Sequence, residues 1–204
     1  MSYANKSPCV HSECRRSAAY VGFITMSHIQ SFEPIETKAA EILILGSMPG
    51  RASLAADQYY AHTKNAFWRI TAELLGFDFS APYAERIAAL KSARIALWDV
   101  LQSCTREGSL DAMIERDTEI ANDFQTFFQT HTKITQVFFN GAKAEACFKR
   151  HVLPAIKTGP IRYLRLPSTS PAHAAMPLAH KIRAWRVIVE SDQPIRPTGI
   201  GLDQ

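Results

Sequence analysis

The chain has 204 residues, of which 47% are hydrophobic, and its formal net charge is +4. This size suits one domain of roughly 150–200 residues with a real core. A membrane span is excluded because no apolar run approaches the ~18 residues that it needs. The four cysteines form no Cys-x-x-Cys pair, so we expect reduced thiols in a cytoplasmic protein with no metal and no cofactor.

Charge is distributed unevenly along the chain. Residues 141–186 contain nine basic residues and one acid, whereas residues 107–123 contain six acids and one arginine. A basic face of this kind would suit a polyanionic partner. Ordinary solvated helix faces account for the same pattern equally well, so charge alone leaves both explanations open.

In chain order, residues 1–35 are polar and aperiodic and predict an irregular N-terminal extension. Residues 191–204 contain two prolines and two glycines and predict a C-terminal tail. Between these segments, short apolar runs followed by turn residues predict four buried strands. The four runs are 41–46, 94–100, 135–141 and 161–168.

Apolar residues at helical spacing separate these runs. The predicted helical faces lie at 67–74, 84–90, 120–128, 142–152 and 178–189. Strands that alternate with helices favour an α/β fold. We therefore predict one domain over residues 36–190, with three α/β/α layers around a central four-stranded, mainly parallel sheet. Ligands of such folds bind beyond the carboxyl ends of the strands, so functional residues should follow each run.

The segment after the first strand reads "GSMPGRASLAADQYYAHTKNAFWRI". Gly46 and Gly50 would let a ligand approach the backbone closely, although an ordinary turn is the simpler explanation. The spacing fits neither a Walker loop nor a dinucleotide fingerprint. Tyr60 can stack on a flat ligand or pack in the core. Asn65 can cap the next helix, or its amide can accept from water and donate to a base.

Four motifs in this order resemble those of the uracil-DNA glycosylase superfamily. "ILILGSMPG" is similar to its first motif, and "YYAHTKNAFWRI" to a segment of its mismatch-specific branch. "VFFNGAKA" resembles a later strand and glycine turn, and "LPSTSPAHA" resembles the second motif, which reaches the DNA. The resemblance covers about residues 38–190 and is strongest to the hypoxanthine-DNA glycosylase branch.

The resemblance implies a monofunctional DNA glycosylase that hydrolyses the N-glycosidic bond of a deaminated base flipped out of double-stranded DNA. Hypoxanthine is the expected base, with uracil and xanthine as further candidates, and we expect a monomer. Asn65 is the implied catalytic residue that positions water, and its contact with the base is left open. The expected base-binding residues are Gly46, Ser47, Met48 and Tyr60. Asp99 and Asn140 are added as base-binding candidates because they end two strands at the same rim of the sheet, and which of the two contacts the base is left open. The expected DNA-binding residues are Pro167, Ser168, Thr169, Ser170, Pro171, Ala172 and His173.

Three positions depart from the family pattern. Met48 replaces an Asp or Asn that orients water in many relatives, and a thioether cannot do this. Leu166 replaces a histidine of uracil-specific relatives, which argues against a strict uracil enzyme. Thr63 stands where the branch usually has proline, with little expected consequence. Two alternatives remain: a catalytically silent nucleic-acid-binding module, which Met48 favours and Asn65 and Tyr60 oppose, and an α/β enzyme acting on free nucleotides.

Overall fold

The structure is a computed structural model that describes residues 27–157 and 159–190. Within these ranges seven strands and six α-helices follow one another. The strands are β1 (Ser27–Gln30), β2 (Ile42–Gly46), β3 (Ile95–Asp99), β4 (Leu101–Arg106), β5 (Ile120–Ala121), β6 (Gln136–Asn140) and β7 (Arg162–Leu166). The helices are α1 (Arg51–Ala56), α2 (Phe67–Leu75), α3 (Tyr83–Ser92), α4 (Phe124–Thr130), α5 (Ala142–Cys147) and α6 (Leu178–Trp185).

A four-stranded parallel sheet in the order β3-β2-β6-β7 forms the centre of the fold. All five residues of β2 and of β3 are buried, as expected for strands covered on both faces. These four strands correspond to the four predicted runs. The predicted strands and the parallel sheet are therefore confirmed.

Alternate residues of the central strands enter two separate hydrophobic clusters. Leu43 and Leu45 of β2 pack in a cluster with α4 and α5, whereas Ile42 and Ile44 pack with α2, α3 and α6. This division follows from the two-residue period of a strand, which sends neighbouring side chains to opposite faces. The predicted three-layer α/β/α arrangement is confirmed.

A second, antiparallel sheet in the order β1-β4-β5 was not predicted. Ser27–Gln30 are a strand, so the described part of the predicted irregular segment 1–35 is not wholly irregular. Ile120 lies in β5 and is exposed, so its predicted place on a helical face is wrong. Both strands are short and mostly solvent-facing, and such strands carry little apolar patterning.

The chain reverses its winding direction at β2. From β2 it crosses through α2 and α3 to β3, and later it passes from β6 through α5 to β7 on the other side of β2. Loops at such a switch point diverge to opposite faces and leave a crevice at the carboxyl edge of the sheet. The segments after β2 and β6 meet at this crevice.

Other expectations concern cysteines and membranes. Cys104 and Cys147 are buried free thiols, whereas Cys9 and Cys14 lie outside the described residues, as does the predicted tail 191–204. Over residues 27–157 and 159–190, no helix is long and apolar enough to span a membrane. In the same ranges, no group of three or more His, Cys, Asp or Glu side chains is placed to hold a metal ion.

Candidate active site

A cavity of about 510 Å³ opens at the carboxyl edge of the parallel sheet. This volume lies in the range of roughly 300–1,000 Å³ that small-molecule sites occupy. Its walls come from the carboxyl end of β3 and from the segments at and after the ends of β2, β4, β6 and β7. The lining residues are 46–53, 59, 60, 62, 65, 99, 109–112, 140–143 and 168–173. Every residue predicted for catalysis, base binding or DNA binding is among them except Pro167, so the structure brings these residues together.

Three residues pack against one another at the floor of the cavity. Gly46 ends β2 and pairs in register with Asp99 at the end of β3. A Cβ atom on Gly46 would lie 2.2 Å from Asp99 Oδ1 and 2.9 Å from the Tyr60 hydroxyl. The absence of a side chain at Gly46 is therefore what allows the Asp99 carboxyl and the Tyr60 hydroxyl to reach the same point.

The Asp99 carboxyl is nearly inaccessible, with 3% of the residue exposed. Burial, and secondarily the nearby Asp111 carboxylate, raise its pKa to about 7. The hydroxyl of Ser31 lies 3.4 Å from Asp99 Oδ2, which is a long hydrogen bond. Near neutral pH the Asp99 carboxyl is thus present in both protonation states, and its neutral form can donate as well as accept a hydrogen bond.

Tyr60 is held in an unusual backbone conformation. Its φ angle of 55° lies in the left-handed region, which side-chain-bearing residues rarely adopt. Phe67 stacks against its ring at a centroid distance of 4.2 Å and an interplanar angle of 28°. The hydroxyl is buried and has no hydrogen-bond partner among the described residues. Burial, followed by the charge of Asp99, raises the pKa of Tyr60, so the phenol stays neutral.

Asn65 stands at the start of α2 and lines the cavity. Its side-chain Oδ1 accepts a hydrogen bond of 3.0 Å from the backbone N–H of Phe67. This bond satisfies one of the unpaired donors in the first turn of the helix. It also fixes the amide plane, so the Nδ2 donors and one lone pair of Oδ1 remain for a ligand.

The segment 167–173 forms the opposite wall and is anchored from below. Asn140 Nδ2 donates to Thr169 Oγ1 over 2.9 Å, and the Thr169 N–H donates to Asn140 Oδ1 over 2.8 Å. The buried Lys181 donates to the carbonyl of His173, and Trp185 Nε1 donates to the carbonyl of Pro167, each over 2.9 Å. Pro167 therefore acts as an anchor. Lys181 and Trp185, the two α6 residues that hold this wall, were not singled out from the sequence.

Sequence reasoning also missed Asp111, which lies in the connection after β4. The Ser47 hydroxyl donates to Asp111 Oδ2 over 2.6 Å, and Arg51 N–H donates to Ser109 Oγ over 3.1 Å. Beneath them the buried Arg106 donates to the carbonyls of Pro49 and Gly108. No sequence motif marks Asp111, because its place in the site depends on how β4 and the first loop meet.

The acidic and basic segments of the sequence pair with each other. The side chain of Glu119 is fully buried and contacts three basic side chains: Lys143 Nζ at 2.6 Å, Arg150 Nη1 at 2.7 Å and His151 Nε2 at 2.7 Å. Burial alone would raise the pKa of Glu119, but the hydrogen bonds and charges of these partners outweigh it and lower the pKa. The Glu119 carboxylate thus offsets part of the charge of the basic segment within the protein, which reduces the basic face expected from the sequence.

Known proteins share this fold and these motifs. Hypoxanthine DNA glycosylases from Methanosarcina barkeri and Methanosarcina acetivorans are 42% and 39% identical over 116 residues, covering 56% of this chain and 72% of each relative. A solution structure described as a candidate uracil DNA glycosylase from Methanosarcina acetivorans covers 80% of this chain and 99% of that one, with 29% identity and a TM-score of 0.64. The sequence model of the uracil DNA glycosylase superfamily matches residues 34–189. The chain therefore belongs to the uracil DNA glycosylase superfamily.

Proposed function

We propose that this protein is a monofunctional DNA glycosylase that releases hypoxanthine from double-stranded DNA by hydrolysing the N-glycosidic bond. The observation that carries the proposal is the single cavity that gathers Asn65, Tyr60, Asp99 and the 168–173 wall. Family membership and the two hypoxanthine DNA glycosylases among its relatives support the same activity. Uracil and xanthine are further candidate bases.

The target base must leave the duplex before its sugar can be reached. We propose that Tyr60 stacks on the extruded base, since Phe67 already covers one face of the Tyr60 ring and fixes its plane. The backbone of 46–48 and the Asp99 carboxyl would bind the base edge at the floor of the cavity. Asn140 would hold the 168–173 wall against the DNA and contribute its remaining N–H to the base.

Asn65 is the proposed catalytic residue. Its amide cannot take a proton, so it would act by orienting water and by donating Nδ2 hydrogens to the base as negative charge develops there. The amide is already fixed by Phe67 N–H, which makes it preorganised for both tasks. Chemistry of this kind needs a site that binds the transition state, in which negative charge develops on the base, more strongly than the intact nucleotide.

The proposal includes base release without strand cleavage. Lys143 is the lysine that lines the cavity among the described residues. Its Nζ donates to the buried Glu119 carboxylate over 2.6 Å, so this amine is already engaged within the protein. We therefore expect no Schiff base, and trapping with borohydride should yield no covalent complex. We also propose that the protein acts as a monomer in the cytoplasm and, if its source is bacterial, in association with the nucleoid.

The test is an excision assay on duplexes that carry one hypoxanthine, uracil or xanthine, followed by heating in alkali to reveal abasic sites as strand breaks. With wild-type protein, strand breaks should appear in the hypoxanthine duplex only after the alkali treatment. Asn65→Ala should lose at least about 100-fold in excision rate while it retains binding to abasic DNA. Excision by Asn65→Ala at the wild-type rate would refute the catalytic assignment, and binding without any excision by wild type would favour the silent nucleic-acid-binding alternative.

A further inference from the structure

We infer that Asp111 is the general base that takes the proton from the attacking water, an inference that rests on the proposed glycosylase function. The first loop contributes no such group, because Met48 replaces the polar residue found in many relatives. A carboxylate from a different part of the chain reaches this loop instead. It comes from the connection after β4, more than sixty residues further along the sequence.

The position of Asp111 relative to the first loop supports this role. Its Oδ2 accepts a hydrogen bond of 2.6 Å from the hydroxyl of Ser47, the residue immediately before Met48. Asp111 lines the same cavity as Asn65 and Tyr60. The carboxylate is therefore bound to the residue next to Met48 in the first loop.

One oxygen of Asp111 remains available to water. Oδ2 is engaged by Ser47, whereas Oδ1 lies 3.9 Å from Arg106 Nη1, which is beyond hydrogen-bond distance. The side chain is 41% exposed, so water and substrate can reach it. Oδ1 can accept a proton from a water molecule while the bond to Ser47 keeps the carboxylate plane fixed.

The charges around Asp111 set its basicity. Arg106 on β4 and Lys143 on α5 favour its ionised form, and Asp99 on β3 is the other carboxyl in the cavity. Partial desolvation of the carboxylate inside the cavity outweighs the hydrogen bond from Ser47 and these cations, and it raises the pKa of Asp111 above its ordinary value. A carboxylate with a raised pKa is a better proton acceptor in catalysis.

Asp99 is a poorer candidate for the same task. It is only 3% exposed and lies behind Gly46 and the Tyr60 hydroxyl at the floor of the cavity. A group at the floor meets the edge of a flat base, whereas the water must approach the sugar, which stays nearer the mouth of the cavity with the DNA backbone. Asp111 belongs to the wall segment 109–112, which also carries the exposed Leu110.

The water oxygen forms a bond to C1′ of the nucleotide, the C1′–N9 bond breaks, and its electron pair leaves with hypoxanthine. One water proton passes to Asp111 Oδ1, and the other stays on the new hydroxyl. Asn65 Nδ2 donates to the departing base, which takes up a proton from solvent, and Asp111 then returns its proton to solvent.

The test is single-turnover excision of hypoxanthine by wild type, Asp111→Asn and Asp111→Ala. The asparagine variant preserves an acceptor for Ser47 but removes the base, so its rate should fall by roughly 10²–10⁴-fold with unchanged affinity for abasic DNA. Added formate should restore part of the rate of Asp111→Ala and leave wild type unaffected. Asp117→Asn is the matched control: it lies in the same connection, is exposed and does not line the cavity, and should retain the wild-type rate.

Three outcomes would overturn the inference. The first is a rate for Asp111→Asn within about threefold of wild type. The second is a loss of affinity for abasic DNA as large as the loss of rate, with no rescue by formate. The third is loss of the folded circular dichroism spectrum on either substitution, which would make Asp111 a structural residue. Wild-type activity separates the two proposals. If wild type releases hypoxanthine and Asp111→Asn matches it, only the role of Asp111 fails, whereas a wild type that releases none refutes the proposed function itself.

Discussion

Gly46→Ala tests whether the floor of the cavity positions the base. The new Cβ would lie 2.2 Å from Asp99 Oδ1, a separation that real Cβ atoms essentially never show, and 2.9 Å from the Tyr60 hydroxyl. The carboxyl must therefore retreat by about 1 Å, and a displacement of that size in a reacting site can cost about 100-fold in rate. Overpacking of the buried floor should also lower the free energy of unfolding by about 1–3 kcal/mol.

The assay is single-turnover excision of hypoxanthine at a temperature where both proteins are folded, together with urea denaturation. Gly50→Ala is the matched control in the same loop. A Cβ on Gly50 would meet its nearest atoms, those of Ser109, at 3.9 and 4.0 Å, which is ordinary contact. Its backbone, with φ of −77° and ψ of 168°, is also open to alanine. Gly50→Ala should stay within about threefold of the wild-type rate.

A Gly46→Ala protein that excises hypoxanthine at the wild-type rate would refute the reasoning. It would mean that neither Asp99 nor the Tyr60 hydroxyl needs its observed position for catalysis. Equal losses for Gly46→Ala and Gly50→Ala would be just as damaging. In that case the effect would come from stiffening of the loop backbone and not from the clash at the floor.

Three further predictions concern charge. Because burial raises the pKa of Asp99 from 3.8 to about 7, the contribution of Asp99 to the free energy of unfolding falls as pH rises through that window. In urea denaturation, the free energy of unfolding of Asp99→Asn should therefore decline less between pH 4 and 7 than that of wild type. An identical decline would contradict the raised pKa. Glu119→Gln leaves Lys143, Arg150 and His151 without their shared carboxylate. It should lower the free energy of unfolding in urea by about 3 kcal/mol. A loss below about 0.5 kcal/mol would argue against a structural ion cluster. Affinity for abasic duplex should fall steeply with salt, and a flat titration would count against phosphate contacts.

Much of the fold could be predicted because its elements are encoded locally. The four central strands are short apolar runs that end in turn residues. Both faces of β2 and β3 are buried, so the composition of these runs is enough to identify them. The edge strand β7 is partly exposed and is identified from its alternating apolar residues and the turn that follows. The sheet of β1, β4 and β5 could not be predicted in this way. Ser27–Gln30 and Ile120–Ala121 are short and mostly exposed, and they are strands only because β4 lies beside them.

In the candidate site, too, some residues could be predicted from local sequence and others could not. The sequence by itself determined the loop from Gly46 through Asn65 and the wall at 168–173, since their residue types follow strands and match family motifs in order. Only the tertiary structure decided that Asp111 joins Ser47, because that contact spans the chain between β2 and the connection after β4. It also decided that the acidic and basic segments pair through Glu119. Charges distant in sequence interact only where packing brings them within a few ångströms of each other, and no local pattern records that distance.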